Sequence, residues 1–265
     1  MISELFSLKG KVALVTGVAG SLGGSIATAY AEAGADLLVA DINGEGLKAK
    51  AKELERSGQK VCTFIGDVSD IAQLDEMYGL LDREFGKIDV LFNVAGEAVR
   101  GKPEEMPLED FVKTIDFLIK AKFYSCQNAG KRMLKAGKGS IISICSIAGI
   151  TSLGRGHAAY GIGMGAVAQM TRELSTEWCG QGVRVNAIVC GQILNKGLAE
   201  RFKSEPGFEQ AFLRGIPMRR VGQSREIQGL ALLLASDASS FISGALIPLD
   251  GGNLAKNAGG THPGM

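Results

Sequence analysis

The sequence predicts an α/β domain, a doubly wound parallel sheet of about seven strands with helices on both faces. Three observations predict it. Seven short apolar runs are nearly continuous in Val, Ile and Leu instead of alternating with polar residues, as expected of parallel strands covered on both faces. Helix-length stretches separate them, the pattern of right-handed βαβ crossovers. Glycine is abundant, 37 of 265 residues, about twice its usual share. It follows no G-X-Y period, so the surplus points to tight turns and excludes a collagen-like chain.

The strand candidates in order are 11–17, 36–41, 61–67, 88–96, 139–146, 183–191 and 245–252. Each is short and bounded by Gly, Asp or Ser, which favour turns. Between them, 22–33, 44–56, 71–85, 108–136, 160–179 and 225–236 read as helices. No proline-rich or charged linker divides the chain, and it shows no repeat. One domain over residues 1–265 is expected, with its core at about 7–254 and a polar, glycine-rich tail at 253–265, either free or held against a neighbouring subunit.

The charge balance narrows the function. Lys and Arg number 29 against 28 acids, a net charge of +1, without the basic excess that nucleic-acid binding requires. With 46% hydrophobic and 22% charged residues, disorder is excluded as well. No apolar run is long enough to span a bilayer, and the first residues lack a signal-peptide core. The five cysteines (Cys62, Cys126, Cys145, Cys179 and Cys190) match no zinc or disulfide spacing and are expected to be reduced and mostly buried. A cytoplasmic location, no metal, no nucleic acid and no membrane are expected. His157 and His262, the two histidines, are too far apart to form a local metal pair.

The strongest motif follows the first strand, where Thr16-Gly17-Val18-Ala19-Gly20-Ser21-Leu22-Gly23-Gly24 leads into a helix. Such a turn lets backbone N–H groups approach a pyrophosphate favoured by the helix N-terminus. Asp41 ends the second strand, where a carboxylate can accept the ribose hydroxyls of NAD and repel the 2′-phosphate of NADP. Further blocks follow in order: Asp67-Val68, Asn93-Val94-Ala95-Gly96, Ser146, Tyr160, Arg184-Val185-Asn186 and Asp250-Gly251-Gly252. Together these resemble the short-chain dehydrogenase/reductase family over about residues 7–254. The resemblance implies a Rossmann-like sheet, NAD as cofactor, and a turn built from Gly17, Ser21, Leu22 and Gly23. It implies that Asp67 and Val68 flank the adenine, and that Asn93, Ala95 and Gly96 form the cofactor floor. Ile193, after the sixth strand, completes the cofactor set. Ser21 stands where the family has its middle glycine, which weakens the turn.

The family transfers a hydride between nicotinamide and an alcohol or ketone carbon, with a tyrosine moving the proton and a serine steadying the oxygen. Ser146 and Tyr160 match those catalytic positions. The family's lysine, four residues after the tyrosine, is Met164 here, and the asparagine of the proton path is Leu118. A free phenol titrates near pH 10, so about one in a thousand is ionised at neutral pH unless a cation helps. Methionine carries no charge and donates no hydrogen bond. Lys120 lies two residues beyond Leu118, on another helical face, and Arg155 precedes Tyr160 in a flexible stretch. Neither is expected to replace the lysine, and Lys122 is left unplaced.

These losses lead to the expectation of a non-catalytic subunit, with Ser146 and Tyr160 vestigial. It would associate with an active paralogue in a hetero-oligomer, a tetramer by family habit, whose substrate is an alcohol or hydroxyacyl-CoA. The alternatives are an active NAD-dependent alcohol dehydrogenase or ketone reductase in a homo-oligomer, and an NAD-binding regulatory protein. Gly161 and Gly165 share a helical face that permits close approach, by a second subunit or by the chain itself. Lys196, Arg201, Lys203, Arg214, Arg219 and Arg220 fall within 195–223, where the family places its substrate lid. They could meet an anionic substrate or form a solvated face.

Overall fold

A computed structural model describes residues 1–96 and 98–256. Seven strands form one parallel sheet in the order β3-β2-β1-β4-β5-β6-β7. They are β1 (Val12–Thr16), β2 (Asp36–Asp41), β3 (Val61–Ile65), β4 (Val90–Asn93), β5 (Gly139–Ser146), β6 (Val183–Cys190) and β7 (Leu246–Leu249). All seven lie within the ranges read from the sequence. Adjacent residues of one strand feed opposite layers. Ala13 and Val15 of β1, with Leu37 and Val39 of β2, join one apolar cluster. Val12, Leu14, Leu38 and Ala40 join another on the opposite face. Burial on both faces is why these strands read as unbroken apolar runs.

The helices are α1 (Ile2–Leu5), α2 (Ser21–Glu32), α3 (Gly44–Leu54), α4 (Ile71–Phe85), α5 (Leu108–Ile115), α6 (Ala121–Ala136), α7 (Ala158–Trp178), α8 (Lys196–Ser204), α9 (Phe208–Leu213) and α10 (Gln228–Ala235). Local chemistry sets several ends. The Asp70 carboxylate accepts the N–H groups of Ala72 and Gln73 to start α4, and Gly86, at φ 67°, stops it. Asn195 caps α8 by accepting the Leu198 N–H. The stretch 108–136, expected as one helix, is interrupted. Asp116–Lys120 forms a π turn between α5 and α6.

Arg184 and Asn186 have structural roles. Arg184 donates to the carbonyls of Leu234 and Ser236, and Asn186 donates to Ile242 and accepts from Ala245. They tie the chain leading into β7 to β6. The start of the tail is held by its own chain: Leu254 N–H donates to Asp250, and Asn253 donates to Gln192 and Gly215. The rest of the expected tail, 257–265 with His262, lies outside the described residues. Gly161 and Gly165 face the turn at Ile147–Gly149 of the same chain. A Cβ on them would stand 3.3 Å from the Ala148 oxygen and 3.8 Å from the Gly149 oxygen. Among the cysteines, Cys126, Cys145 and Cys190 are buried, Cys62 partly so, and Cys179 is exposed.

Candidate active site

Thr16, Asp41, Asn93, Ser146 and Cys190 all terminate parallel strands. Their carboxyl ends therefore align along one edge of the sheet. The strand order reverses between β1 and β4, the crevice where open α/β sheets bind ligands.

The glycine turn sits at that crevice. Gly17 has φ 73°, a left-handed backbone that glycine adopts without steric cost. At Gly23 a Cβ would lie 2.1 Å from the Gly17 oxygen, so the turn closes only over a glycine. Gly20 precedes α2 without any side-chain cap, leaving backbone donors of its first turn available to an anion. Ser21 is exposed there, and Leu22 packs on the adjoining core. The Asp41 carboxylate accepts the N–H of Ala19 at 2.9 Å and of Asn43 at 2.8 Å. It is thus fixed at the rim of the turn with lone pairs to spare for hydroxyl donors.

The floor is built from β1 and β4 together. Thr16 Oγ1 accepts the N–H groups of Val94 and Ala95, and Ala95 N lies 3.1 Å from where a Gly17 Cβ would stand. Ala95 and Gly96 are therefore continuous with the phosphate turn. Asn93 is 3% exposed and donates to Cys126 Sγ, supporting the floor from beneath. Asp67 accepts from the backbone and hydroxyl of Ser69, with Val68 following it in the loop after β3. Ile193 forms an isolated bridge with Gly222 beyond β6 and packs on the same core as Leu22. A cradle this close-fitting, with a carboxylate at its rim and an open helix start, suits a dinucleotide. Gly17, Ser21, Gly23, Asp41 and the Ala95–Gly96 floor would hold it.

Ser146 and Tyr160 come together. The Ser146 hydroxyl accepts the Ala148 N–H at 3.1 Å, which leaves its own proton to donate. Burial pushes the Tyr160 phenol above its ordinary value of 10, opposed by the adjoining Ser146 hydroxyl and by the charge of Arg100. The His157 ring stands edge-on to Tyr160, with centroids 6.2 Å apart. From the sequence His157 is only a histidine too distant from His262 to share a metal, and Arg100 draws no reading at all. His157 carried a local signal, three residues before the tyrosine, whereas Arg100 carried none.

Met164 and Leu118 belong to the apolar cluster on which Tyr160 packs. Both are buried there, with Cys145, Ile147 and Val167. Leu118 sits on the π turn, between positions where a Cβ on Gly163 would stand 2.7 Å from it and one on Gly96 2.9 Å. Lys120 is paired with Asp116 at 2.8 Å on the surface, as its helical face implied. Arg155 is exposed, with φ 54°. Lys122 is the surprise. It is buried, and its ammonium donates to the Ala95 carbonyl directly beneath the floor. Burial pulls its pKa down from 10.5 to about 8. Of the basic residues in 195–223, Arg201 pairs with Glu205 and Arg220 with Glu226, so two of the six are already neutralised. No cluster that could hold a metal, and no helix long and apolar enough to cross a membrane, occurs among the described residues.

Residues 17–253 match the family described as enoyl-(acyl carrier protein) reductase. The chain is 38% identical to D-threitol dehydrogenase of Mycolicibacterium smegmatis over 251 residues, 95% of each protein. A crystal structure of a short-chain type dehydrogenase/reductase from Mycobacterium marinum superposes with a TM-score of 0.90 at 31% identity, covering 97% of this chain and 100% of that one. A 7α-hydroxysteroid dehydrogenase solved with NADH and a 7-oxo bile acid conjugate superposes with a TM-score of 0.89 at 30% identity, covering 94% and 96%.

Proposed function

The chain belongs to the short-chain dehydrogenase/reductase family, and on that premise we propose that it is an active nicotinamide-dependent oxidoreductase, interconverting a secondary alcohol and its ketone. The observation that carries this reading is the meeting of Ser146 and Tyr160 beside a turn that keeps its glycines at Gly17 and Gly23. The full-length likeness to a polyol dehydrogenase supports it and favours a small polyhydroxylated substrate. NAD is the proposed cofactor, because the Asp41 carboxylate at the rim accepts ribose hydroxyls and repels an added phosphate.

When bound, the nicotinamide supplies or takes the hydride. The chain supplies the rest. Ser146, its lone pair engaged by Ala148, donates to the substrate oxygen and fixes its position. Tyr160 removes the hydroxyl proton in oxidation and returns it in reduction. With an apolar residue at 164 the phenol stays high, so Tyr160 works with a small ionised fraction and turnover is slow at neutral pH. Arg100 and the Ser146 hydroxyl provide what lowering there is.

The experiment is NAD-linked oxidation of a polyol series by the purified chain, with Tyr160→Phe as control. Oxidation that disappears in the control supports the reading. A second reading, a non-turning subunit beside an active homologue, is favoured by the paired Leu118 and Met164. It gains if NADH binds while no polyol is oxidised between about pH 7 and pH 10.

A further inference from the structure

Position 164 is apolar, but α6 brings a lysine toward the cofactor floor from the sheet side. Lys122 is 3% exposed, although lysine is almost never fully buried without a partner. Its ammonium has three donors, and among the described residues one is used, on the Ala95 carbonyl oxygen. The titratable groups that face it are the thiols of Cys126 on its own helix and Cys145 on β5. Burial pushes both thiols up, so they stay neutral at physiological pH and offer no counter-charge.

Its surroundings point toward the cofactor. Nζ would lie 3.5 Å from a Cβ on Gly96, just under the floor. With Thr16, Val68, Asn93, Ala95 and Ser125 it lines a small cavity with about 10 Å³ of room, the lower limit for one water. The same Cβ position on Gly96 also meets Leu118, 2.9 Å away, and Leu118 in turn packs on Gly163 beside Met164. A charge kept in such a place, with donors unfilled, is explained when a ligand brings the acceptors.

We propose that Lys122 is a cofactor-binding residue that holds the nicotinamide-side ribose hydroxyls from beneath Ala95–Gly96, replacing from α6 the anchor that α7 lacks at Met164. The assignment rests on the dehydrogenase reading. It gives the chain a reason to tolerate Met164, since ribose anchoring moves to another helix while the region around Leu118 becomes apolar.

The test is calorimetric titration of the whole chain, wild type against Lys122→Met and Lys122→Gln, with three ligands. ADP carries the diphosphate alone, ADP-ribose adds the second ribose, and NADH adds the nicotinamide. Binding of ADP-ribose and NADH should weaken at least about tenfold in Lys122→Met, the loss expected for charge-assisted hydrogen bonds, while ADP binding stays within twofold. Lys122→Gln, which keeps donors without charge, should fall between. Melting curves check that both variants fold. Equal loss for ADP would move the contact to the phosphates and overturn the ribose assignment. Unchanged binding of all three by a folded variant would overturn it outright. Wild-type protein that binds none of the three would sink the dehydrogenase reading, and this assignment with it.

Discussion

Replacing Lys122 by methionine should stabilise the free protein. In the wild type the ammonium is buried, and its pKa falls from 10.5 to about 8, which amounts to about 3 kcal/mol held against the charged form at neutral pH. Removing the hydrogen bond to Ala95 gives back about 1 kcal/mol. Methionine has similar length and adapts to irregular spaces, so little cavity is left. The net gain is about 2 kcal/mol, or roughly 4–8 °C in melting temperature for a domain of this size. The sign with pH is specific. A depressed lysine destabilises the fold in full below about pH 8, where both states are protonated. The penalty fades as pH rises toward 10.5, because the unfolded chain keeps its proton longer. Cys126 and Cys145, the thiols facing it, are raised by burial and lowered by its charge. They stay neutral at pH 7, and at pH 10 the folded lysine is itself uncharged, so their coupling adds little to the difference at either pH. The assay is denaturant unfolding of the nucleotide-free proteins at pH 7 and pH 10. The stability gap should be present at the first and nearly closed at the second. A variant less stable than wild type at pH 7, or a gap independent of pH, refutes the reasoning.

Three other outcomes follow from the same geometry. Met164→Lys alone should cost about 3 kcal/mol or more, the usual result of an unpaired buried charge. It should not raise turnover, since Leu118 still closes the relay; denaturation and steady-state rates check both. Gly23→Ala forces a Cβ into the 2.1 Å gap to the Gly17 oxygen, so NADH affinity should drop by more than about tenfold in a fluorescence titration. Because Tyr160 is raised above 10, alcohol oxidation, which needs the phenolate, should climb by about a decade per pH unit from neutral to near pH 10. The groups around the phenol are Ser146, Cys145, Cys190, Arg100 and His157. A plateau below pH 8 would mean that one of them, or the cofactor, lowers it.

The inner strands were legible because burial on two faces writes itself as continuous apolar sequence, whereas the edge strands β3 and β7 are only partly buried. The turn was legible because only glycine fits at Gly17 and Gly23. The break in the fourth long helix was not legible. Nothing in 114–120 is a helix breaker, and the π turn is seen only with Leu118 packed between Gly163 and Gly96, residues far away in sequence. Lys122 was half legible. Its spacing of four from Leu118 puts both on one helical face, and Leu118 is apolar, so that face had reason to be buried. Composition argued the other way, since a lysine is ordinarily a surface residue. What decided the matter was the packing of α6 on β4, which carries Ala95 over the ammonium. The same packing binds the unusual residues into one change. An asparagine at 118 would bury an amide against Met164, and a lysine at 164 would bury a charge against Leu118, so each apolar residue favours the other. Once both are apolar, a cation serving the cofactor has to come from outside that cluster, and Lys122, one turn further along α6, is placed to do so.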